Sequence, residues 1–223
     1  INPSVGLFID GIDMTGLGGA ATMFDVQQVE VLRGPQGTAF GANALAGAIN
    51  IKSKQPTKET EGYLEAKIGN YNTQSFGGAI SSSLTEKLSA KISLQSNTSD
   101  GNIENVFLNR TDTNNIDEQT IKASAIWEEK LSTYQFNLLQ INTNNGYDVF
   151  TIDNTRKTQS DEPGKDKINL TGASLQTSNS NNSNFTIESN TELSKSNSLY
   201  SYDYDWTNLG YRTNPDTDFE KFD

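Results

Sequence analysis

The sequence has 223 residues, a formal net charge of −11 at pH 7, no cysteine and no histidine. The absence of cysteine excludes disulfides, iron–sulfur clusters and thiolate metal sites, and the absence of histidine excludes histidine-based triads and zinc sites. An acidic chain argues against nucleic-acid binding, which requires a basic surface. We therefore expect no catalytic, cofactor or metal site and no nucleic-acid partner.

No apolar run approaches the ~18 residues that a transmembrane helix requires. A membrane protein is still possible, because a transmembrane barrel strand needs only ~9–11 residues with every second one apolar. The first residues lack the charged start and apolar core of a signal peptide. Since the sequence starts without Met inside a strand-like segment and has no evident stop, we expect it to be part of a longer chain.

The first elements in chain order are strands joined by turns. Residues 5–9 are apolar and are followed by Asp10 and Gly11, which predicts a strand and a turn. We predict helical turns at residues 24–29 and 42–46. Proline at position 56 stops strand pairing and marks the end of this first unit.

A glycine-rich stretch lies between two apolar, strand-like runs in VEVLRGPQGTAFGANALAGAINIKSK, residues 29–54. A helix does not tolerate this density of glycine, because each one costs about 1 kcal/mol relative to alanine. The pattern therefore predicts tight turns and close backbone approach, with proline fixing φ in the first turn. The residues concerned are Gly34, Pro35, Gly37, Gly41 and Gly47.

From residue 62 onward, apolar residues recur at every second position, which predicts β-strands. The alternation changes phase at residues 138–139 and 172–173, where we predict β-bulges. Seven strands are predicted, at about residues 62–69, 75–84, 88–95, 121–127, 133–142, 167–177 and 185–193.

The connections between these strands alternate in length. After a tight tip at residues 70–73, short turns alternate with the long polar loops 99–118 and 144–166. Long loops on one rim and short turns on the other are typical of outer-membrane barrels. A soluble sandwich also has alternating strands, but it does not usually segregate its long loops in this way.

Three segments carry a resemblance to a known family. Residues 29–56 and VGLFIDGIDM, residues 5–14, resemble the plug domain of TonB-dependent outer-membrane receptors, and residues 61–84 resemble their first barrel hairpin. Glutamine at position 28 and alanine at positions 39 and 42 depart from residues common in the family. The resemblance implies a mainly β fold, in which residues 1–56 form the C-terminal part of a small α+β plug domain. Residues 57–223 would form about seven strands of a large antiparallel transmembrane β-barrel, which has about 22 strands in the family.

The resemblance also implies a function. Such receptors actively transport ferric siderophores, vitamin B12 (cobalamin) or other large nutrients across the outer membrane of Gram-negative bacteria. The implied partners are the ligand, the lipid bilayer, and TonB with its inner-membrane energising complex. The segment that binds TonB would precede Ile1, and most barrel strands would follow Asp223. Ligand binding is expected to let force from the inner membrane move or partly unfold the plug.

The resemblance assigns structural or gating roles to residues of the plug motifs. They are Asp10, Gly11, Glu30, Arg33, Gly34, Pro35, Gly37, Gly41, Asn43 and Gly47. Two interpretations of Glu30 and Arg33 stay open, because these charges can pair with the barrel wall or face luminal water.

Aromatic residues alternate at positions 200–206, so Tyr200, Tyr202, Tyr204 and Trp206 are predicted to share one face. They fit either the upper part of a barrel strand with its interfacial aromatic girdle or a contact surface for a ligand from outside. Tyr202, Tyr204 and Trp206 are the candidates for facing the ligand.

Other kinds of site find little support. The glycines match neither a P-loop nor a dinucleotide fingerprint, and Asp10 with Asp13 or Asp203 with Asp205 are better explained as solvated turn residues than as a glycosidase pair. The acidic residues at 112, 117 and 118 do not have EF-hand spacing. A passive porin or adhesin barrel and a soluble secreted β-protein remain the alternatives to active transport.

Overall fold

The computed structural model describes residues 3–18, 22–41, 43–147, 150–151, 153, 155–181, 185–209 and 217–222. The described residues form a small four-stranded sheet, a large eight-stranded sheet and a two-stranded ribbon. Of the short turn expected at residues 178–183, residues 178–181 instead continue a strand, and residues 182–183 lie outside the described part. Within this part of the chain, no helix has the length and apolar character needed to cross a bilayer.

The small sheet contains both motifs that resemble the plug. Its strands are β1 (Val5–Ile9), β2 (Ile12–Asp13), β3 (Val26–Arg33) and β4 (Gly47–Ser53), arranged in the order β2-β1-β4-β3. β1 runs parallel to β4, whereas β3 is antiparallel to β4. A single helical turn, α1 (Gly37–Phe40), lies between β3 and β4.

The two predicted helical turns are wrong. Residues 26–29 belong to β3, because pairing with β4 satisfies their backbone groups and valines favour an extended chain. Helical geometry occurs instead at α1, before residues 42–46. Residues 43–46 form a turn that is tied to the chain start by a 2.8 Å hydrogen bond from Ala46 N to Ser4 O.

The large sheet is antiparallel throughout, and its strands follow each other in chain order. Its members are β5 (Glu61–Gly69), β6 (Thr73–Ser83), β7 (Leu88–Ser99), β9 (Ile116–Glu128), β10 (Ser132–Gly146), β12 (Lys165–Asn181), β13 (Phe185–Ser201) and β14 (Thr217–Phe222). The seven predicted strands are confirmed, and β14 is an additional one. Its sequence, TDFEKF, lacks the regular alternation on which the prediction relied.

The two long loops on one rim are joined by a parallel ribbon of β8 (Glu104–Asn105) and β11 (Lys157–Thr158). The side chain of Asn105 is fully buried and donates from Nδ2 to Ser160 O at 2.7 Å. Its Oδ1 accepts from the backbone N–H groups of Phe107 and Leu108. These bonds give the long loops a shared internal structure.

The two faces of the large sheet differ in polarity. Large apolar side chains are exposed on the outer face, among them Leu64 at 92%, Ile68 at 85% and Ile80 at 57%. The inner face carries small polar residues such as Ser93, which are buried against the small sheet. An apolar exterior and a polar interior are the arrangement of a membrane barrel.

The predicted bulges are also wrong. Leu138 pairs with Ala173 and Leu139 with Gly172 in an uninterrupted register. The sequence pattern changes phase because Leu138 faces outward at 44% exposure, while Leu139 faces inward and is buried against the small sheet. Apolar residues on both faces thus produce the same change of phase in the sequence as a bulge would.

The outermost strands, β5 and β14, each pair with only one neighbour among the described residues. Unpaired edges and an apolar outer face both promote association in water. We therefore expect the 223-residue chain, expressed alone, to aggregate in aqueous buffer and to dissolve only with detergent. Size-exclusion chromatography with light scattering measures this, and a monodisperse monomer without detergent would contradict the barrel assignment.

Candidate functional site

The candidate site is the interface at which the small sheet packs into the inner face of the large sheet. The turn Asp10–Gly11 lies at its centre, and both residues adopt positive φ, at +52° and +81°. Asn137 Nδ2 and Ser174 Oγ, from β10 and β12, donate to Asp10 O at 3.3 and 2.6 Å. The predicted turn therefore contacts the large sheet, which we call the wall, through its backbone.

Gly11 allows this close approach. A Cβ at this position would lie 2.5 Å from Gln176 Nε2 and 2.6 Å from Asn190 Oδ1. The Asn190 amide also donates to Gly11 O at 3.0 Å. Any larger residue would both strain the backbone and displace the side chains of β12 and β13.

The carboxylate of Asp10 serves the small sheet itself. Its oxygens accept from Ser53 N at 2.7 Å and from Ser53 Oγ at 2.6 Å, which ties the turn to the end of β4. Lys122 of β9 donates to the same Ser53 Oγ at 3.2 Å. Asp10 thus connects the first turn of the small sheet to a buried lysine of the wall.

An apolar cluster holds one side of the interface, and we call it the apolar anchor. Residues of the small sheet and the following loop pack against inward-facing residues of β10 and β12. A Cβ at Gly172 would lie 2.7 Å from Ile12 Cγ2, so glycine makes room for the isoleucine. The members are Ile9, Ile12, Met14, Leu17 and Ile51 against Leu139, Ile141, Ile168 and Leu170.

Charged and polar contacts hold the other side, formed by Phe24, Asp25, Tyr63, Lys91 and Lys122, which we call the polar anchor. Asp25 pairs with Lys91 of β7 at 2.8 Å, with side-chain exposures of 2% and 9%. Tyr63 of β5 donates to Asp25 Oδ1 at 3.1 Å, and Lys122 donates to Phe24 O at 2.8 Å. Three wall strands therefore bind one turn of the small sheet.

A cavity of about 660 Å³ adjoins the polar anchor. One wall is formed by residues 22–26, and the opposite wall by side chains of β5, β7, β9 and β10, including Gln95 and Thr143. A Cβ at Gly77 would lie 2.7 Å from the Phe24 ring, so the ring packs directly on the backbone of β6. The turn at residues 24–25 is thus bounded by open space on one side and by the wall on the other.

The glycine-rich motif forms the turns expected of it. Gly34 and Gly41 have φ of +87° and +79°, and a Cβ at Gly47 would lie 2.5 Å from Leu32 O. Gly37 begins α1, and Pro35 lies between the bend at Gly34 and this helical turn. Asn43 Nδ2 donates to Asp13 Oδ2 at 2.9 Å, which connects this motif to the β1–β2 hairpin. These residues shape the small sheet and do not touch the polar anchor.

Glu30 and Arg33 have different surroundings. Glu30 pairs with Lys52 of the neighbouring strand at 2.9 Å and accepts from Asn50 Nδ2 at 2.9 Å. These hydrogen bonds from Lys52 and Asn50 hold the pKa of the Glu30 carboxyl below its ordinary value. Arg33 is exposed and forms no ion pair within the described residues. Pairing of Arg33 with the wall therefore stays a prediction.

The aromatic residues lie on the rim with the long loops, at and beyond the end of β13. Tyr200 is 5.9 Å from Tyr202, which is 6.5 Å from Tyr204, measured between ring centroids. Tyr147 from the end of β10 meets Tyr200 edge to face at 4.8 Å, and Phe150 stacks on Trp206 at 5.4 Å. We call these six residues the aromatic surface.

Sequence reasoning missed the wall half of the site. Strand alternation places Lys91 and Lys122 on the polar faces of their strands, but it does not indicate that they contact the small sheet. The available signal was a lysine flanked by small residues on the inward face, as in Ser89-Ala90-Lys91-Ile92-Ser93. Such a lysine has no neighbouring carboxylate on its own strand, so it needs a partner from elsewhere.

The buried pair of Asp25 and Lys91 gives a stability prediction. Asp25→Ala leaves the Lys91 ammonium buried without its carboxylate, which should cost about 3–5 kcal/mol. Lys67→Ala is the matched control, because its pair with Glu65 is exposed and should be worth less than about 1 kcal/mol. Hydrogen exchange at residues 22–26 in the detergent-solubilised protein measures both. Equal protection in the two variants would contradict a stabilising role for the buried pair.

Comparison with known proteins finds similarity in both parts of the chain. A family model described as the TonB-dependent Receptor Plug Domain matches residues 2–48. Over 67 residues, the chain is 43% identical to the pesticin receptor of Yersinia pestis, an alignment covering 30% of this chain and 10% of that receptor. Over 63 residues, it is 43% identical to the catecholate siderophore receptor Fiu of Escherichia coli K12, covering 28% of this chain and 8% of Fiu.

The fold extends the similarity beyond these segments. The crystal structure of the ferric yersiniabactin uptake receptor FyuA from Yersinia pestis superposes with a TM-score of 0.78 at 20% identity, covering 91% of this chain and 33% of FyuA. The matched regions thus span about a tenth to a third of these relatives. The predicted mainly β fold with a plug and an unclosed part of a barrel is confirmed. In its plug-like motifs and in its fold, the chain is therefore similar to the TonB-dependent receptors, the plugged β-barrel proteins of the Gram-negative outer membrane.

Proposed function

We propose that this protein takes part in TonB-dependent active transport of a ferric siderophore, or a nutrient of similar size such as cobalamin, across the outer membrane. Residues 1–56 would be the C-terminal part of the plug and residues 57–223 the first barrel strands. TonB and its inner-membrane complex would supply the force. The names of the relatives support this class of ligand, since they include a siderophore receptor and a pesticin receptor.

One observation carries the proposal: the small sheet fills the concave, polar side of a sheet whose other side is apolar. Leu64 and Ile68 are almost fully exposed on the outside, whereas Ser93 and Ser174 are buried inside. Exposing apolar side chains to water is unfavourable, so the outer face belongs in lipid. A soluble secreted β-protein would place its apolar side chains in the opposite direction.

The two anchors suggest how the plug would open. Separating the two halves of the apolar anchor exposes buried aliphatic surface to water. This costs about 25 cal/mol per Å², and hydration of the exposed surface does not offset the cost. Separating the polar anchor exposes Asp25 and Lys91, and water can solvate both charges once they are free. We therefore propose that the segment around residues 24–25 leaves the wall first, while the turn around Ile12 remains bound.

This order of events also gives the adjoining cavity a role. The cavity of about 660 Å³ already separates residues 22–26 from part of the wall. Release of the Asp25–Lys91 pair would enlarge this space along β5 to β9 without breaking the contacts of β10 and β12. Transport through this side would need only local movement of the plug.

Energy dependence separates active from passive transport. We expect cells that carry the complete receptor to take up radiolabelled ferric siderophores when TonB and the proton gradient are intact, and to lose this uptake when either is removed. The matched control is a strain with the empty vector, measured with the same ligands. Uptake that persists without TonB would favour the passive porin alternative.

Two cross-links test the order of opening. This chain contains no cysteine, so Phe24→Cys with Gly77→Cys, or Ile12→Cys with Gly172→Cys, can be joined by a short thiol cross-linker. The first cross-link spans the polar anchor and should abolish uptake while leaving ligand binding unchanged. The second spans the apolar anchor and should leave uptake nearly intact.

Each single-cysteine variant, treated with the same reagent, controls for the substitutions themselves. A reducible cross-linker should restore uptake to the Phe24/Gly77 double variant on reduction. Unimpaired uptake with the polar anchor cross-linked would rule out movement of the plug at this place.

A further inference from the structure

Within the aromatic surface, the four tyrosines form an unbroken series of ring contacts, and Phe150 and Trp206 form a second, stacked pair. Tyr147 and Tyr200 pack edge to face, with their ring centroids 4.8 Å apart. In the register of β12 and β13, Tyr200 lies opposite Asp166. Ile168, two residues further along β12, belongs to the buried apolar anchor, so Asp166 and Tyr200 face the same side as the plug.

Two carboxylates of the wall lie on the same face of the large sheet as Tyr200. By the register of β9, β10 and β12, Asp166 shares its face of the sheet with Glu118 of β9. Asn97 and Asn145 donate to the Glu118 carboxylate at 3.3 and 2.9 Å and fix its position on the wall. Acidic residues also outnumber basic ones in the segments 100–118, 147–166 and 202–209 taken together.

Three of the four basic residues of these segments have partners, two of them acidic residues of the same segments. Two of them pair with carboxylates at 2.7 and 3.5 Å. Arg156 donates to the phenol of Tyr71, at the tip between β5 and β6. Lys165 precedes Asp166 in β12, and by strand alternation it points to the opposite face. The two pairs are Arg110 with Asp112 and Lys157 with Glu104.

We infer that this site selects an aromatic ferric chelate that is uncharged or cationic, and that it discriminates against anionic chelates such as tris-catecholates. The inference rests on the proposed function for the presence of a ferric ligand. Aromatic rings stack on tyrosine and tryptophan, and a cationic group gains further from their π-faces. Carboxylates on the wall of a narrow mouth raise the local concentration of cations and lower that of anions.

The substrate class follows from the combination of the two features. An aromatic surface alone would accept any chelate with exposed rings, and acidic residues alone would attract any cation. Because Asp166 lies beside Tyr200, a ligand stacked on the tyrosines is also close to a carboxylate. Charge therefore decides between ligands that the aromatic surface would otherwise treat alike.

Matched probes can test the role of charge directly. Ferric tris(3-hydroxy-4-pyridinone) is neutral, ferric tris-catecholate has a similar shape but is anionic, and a hydroxypyridinone complex with appended ammonium groups is cationic. Binding of each to the complete receptor in detergent is measured by calorimetry at low ionic strength. We expect the neutral and cationic complexes to bind at least tenfold more tightly than the anionic one.

Variants separate the two features. Asp166→Asn combined with Glu118→Gln removes both charges while keeping the size of the side chains, and should reduce the preference for cationic over anionic probes by about tenfold. Tyr202→Ala combined with Tyr204→Ala should weaken binding of the neutral probe by about tenfold. Tyr134→Ala is the control, because Tyr134 lies on the outer face of β10.

Tightest binding of the anionic probe, or no binding of any probe, would overturn the inference. Binding is measured without TonB, so it is independent of transport. A receptor that binds with the expected preference but transports nothing would contradict the proposed function alone. A receptor that transports anionic chelates in a TonB-dependent manner, and binds them most tightly, would contradict only the inference.

Discussion

The structure depends on one contact, in which Ile9 and Ile12 of the small sheet pack against the inward side chains of β10 and β12. The interior of a membrane barrel is otherwise polar, so an apolar patch there requires a partner that covers it. Gly172 provides the space for Ile12, and the uninterrupted register of β10 and β12 keeps Leu139, Ile141, Ile168 and Leu170 in one patch. The wall therefore holds the small sheet in place, and the small sheet covers the apolar patch of the wall.

The fold was largely predictable from the sequence because strand alternation is a local property. Each predicted strand of the large sheet was correct where one face met lipid and the other met polar groups. The two predicted bulges failed at Leu138–Leu139 and Gly172–Ala173, where the inner face turns apolar to receive the plug. Periodicity reports which side chains are apolar, but it cannot tell whether lipid or another part of the chain covers them.

The candidate site was predictable only in part. The motif resemblance led to Asp10, Gly11 and the glycine-rich turns, which shape the plug. The resemblance did not lead to Lys91 and Lys122, because their partners are 66 and 98 residues away in sequence. Nor did the local pattern 24–29 indicate a strand, since pairing with β4 decides the conformation there. Contacts between distant segments are the information that a single sequence does not contain.

The ribbon of β8 and β11 has a consequence for how the outer rim can respond and change. Because Asn105 lies in one long connection and bonds to Ser160 in the other, the two connections are mechanically a single body. A molecule that binds to either connection would therefore shift both of them. Natural variation in one connection would likewise be constrained by the other, and exchange of surface specificity between strains would favour replacing the two together.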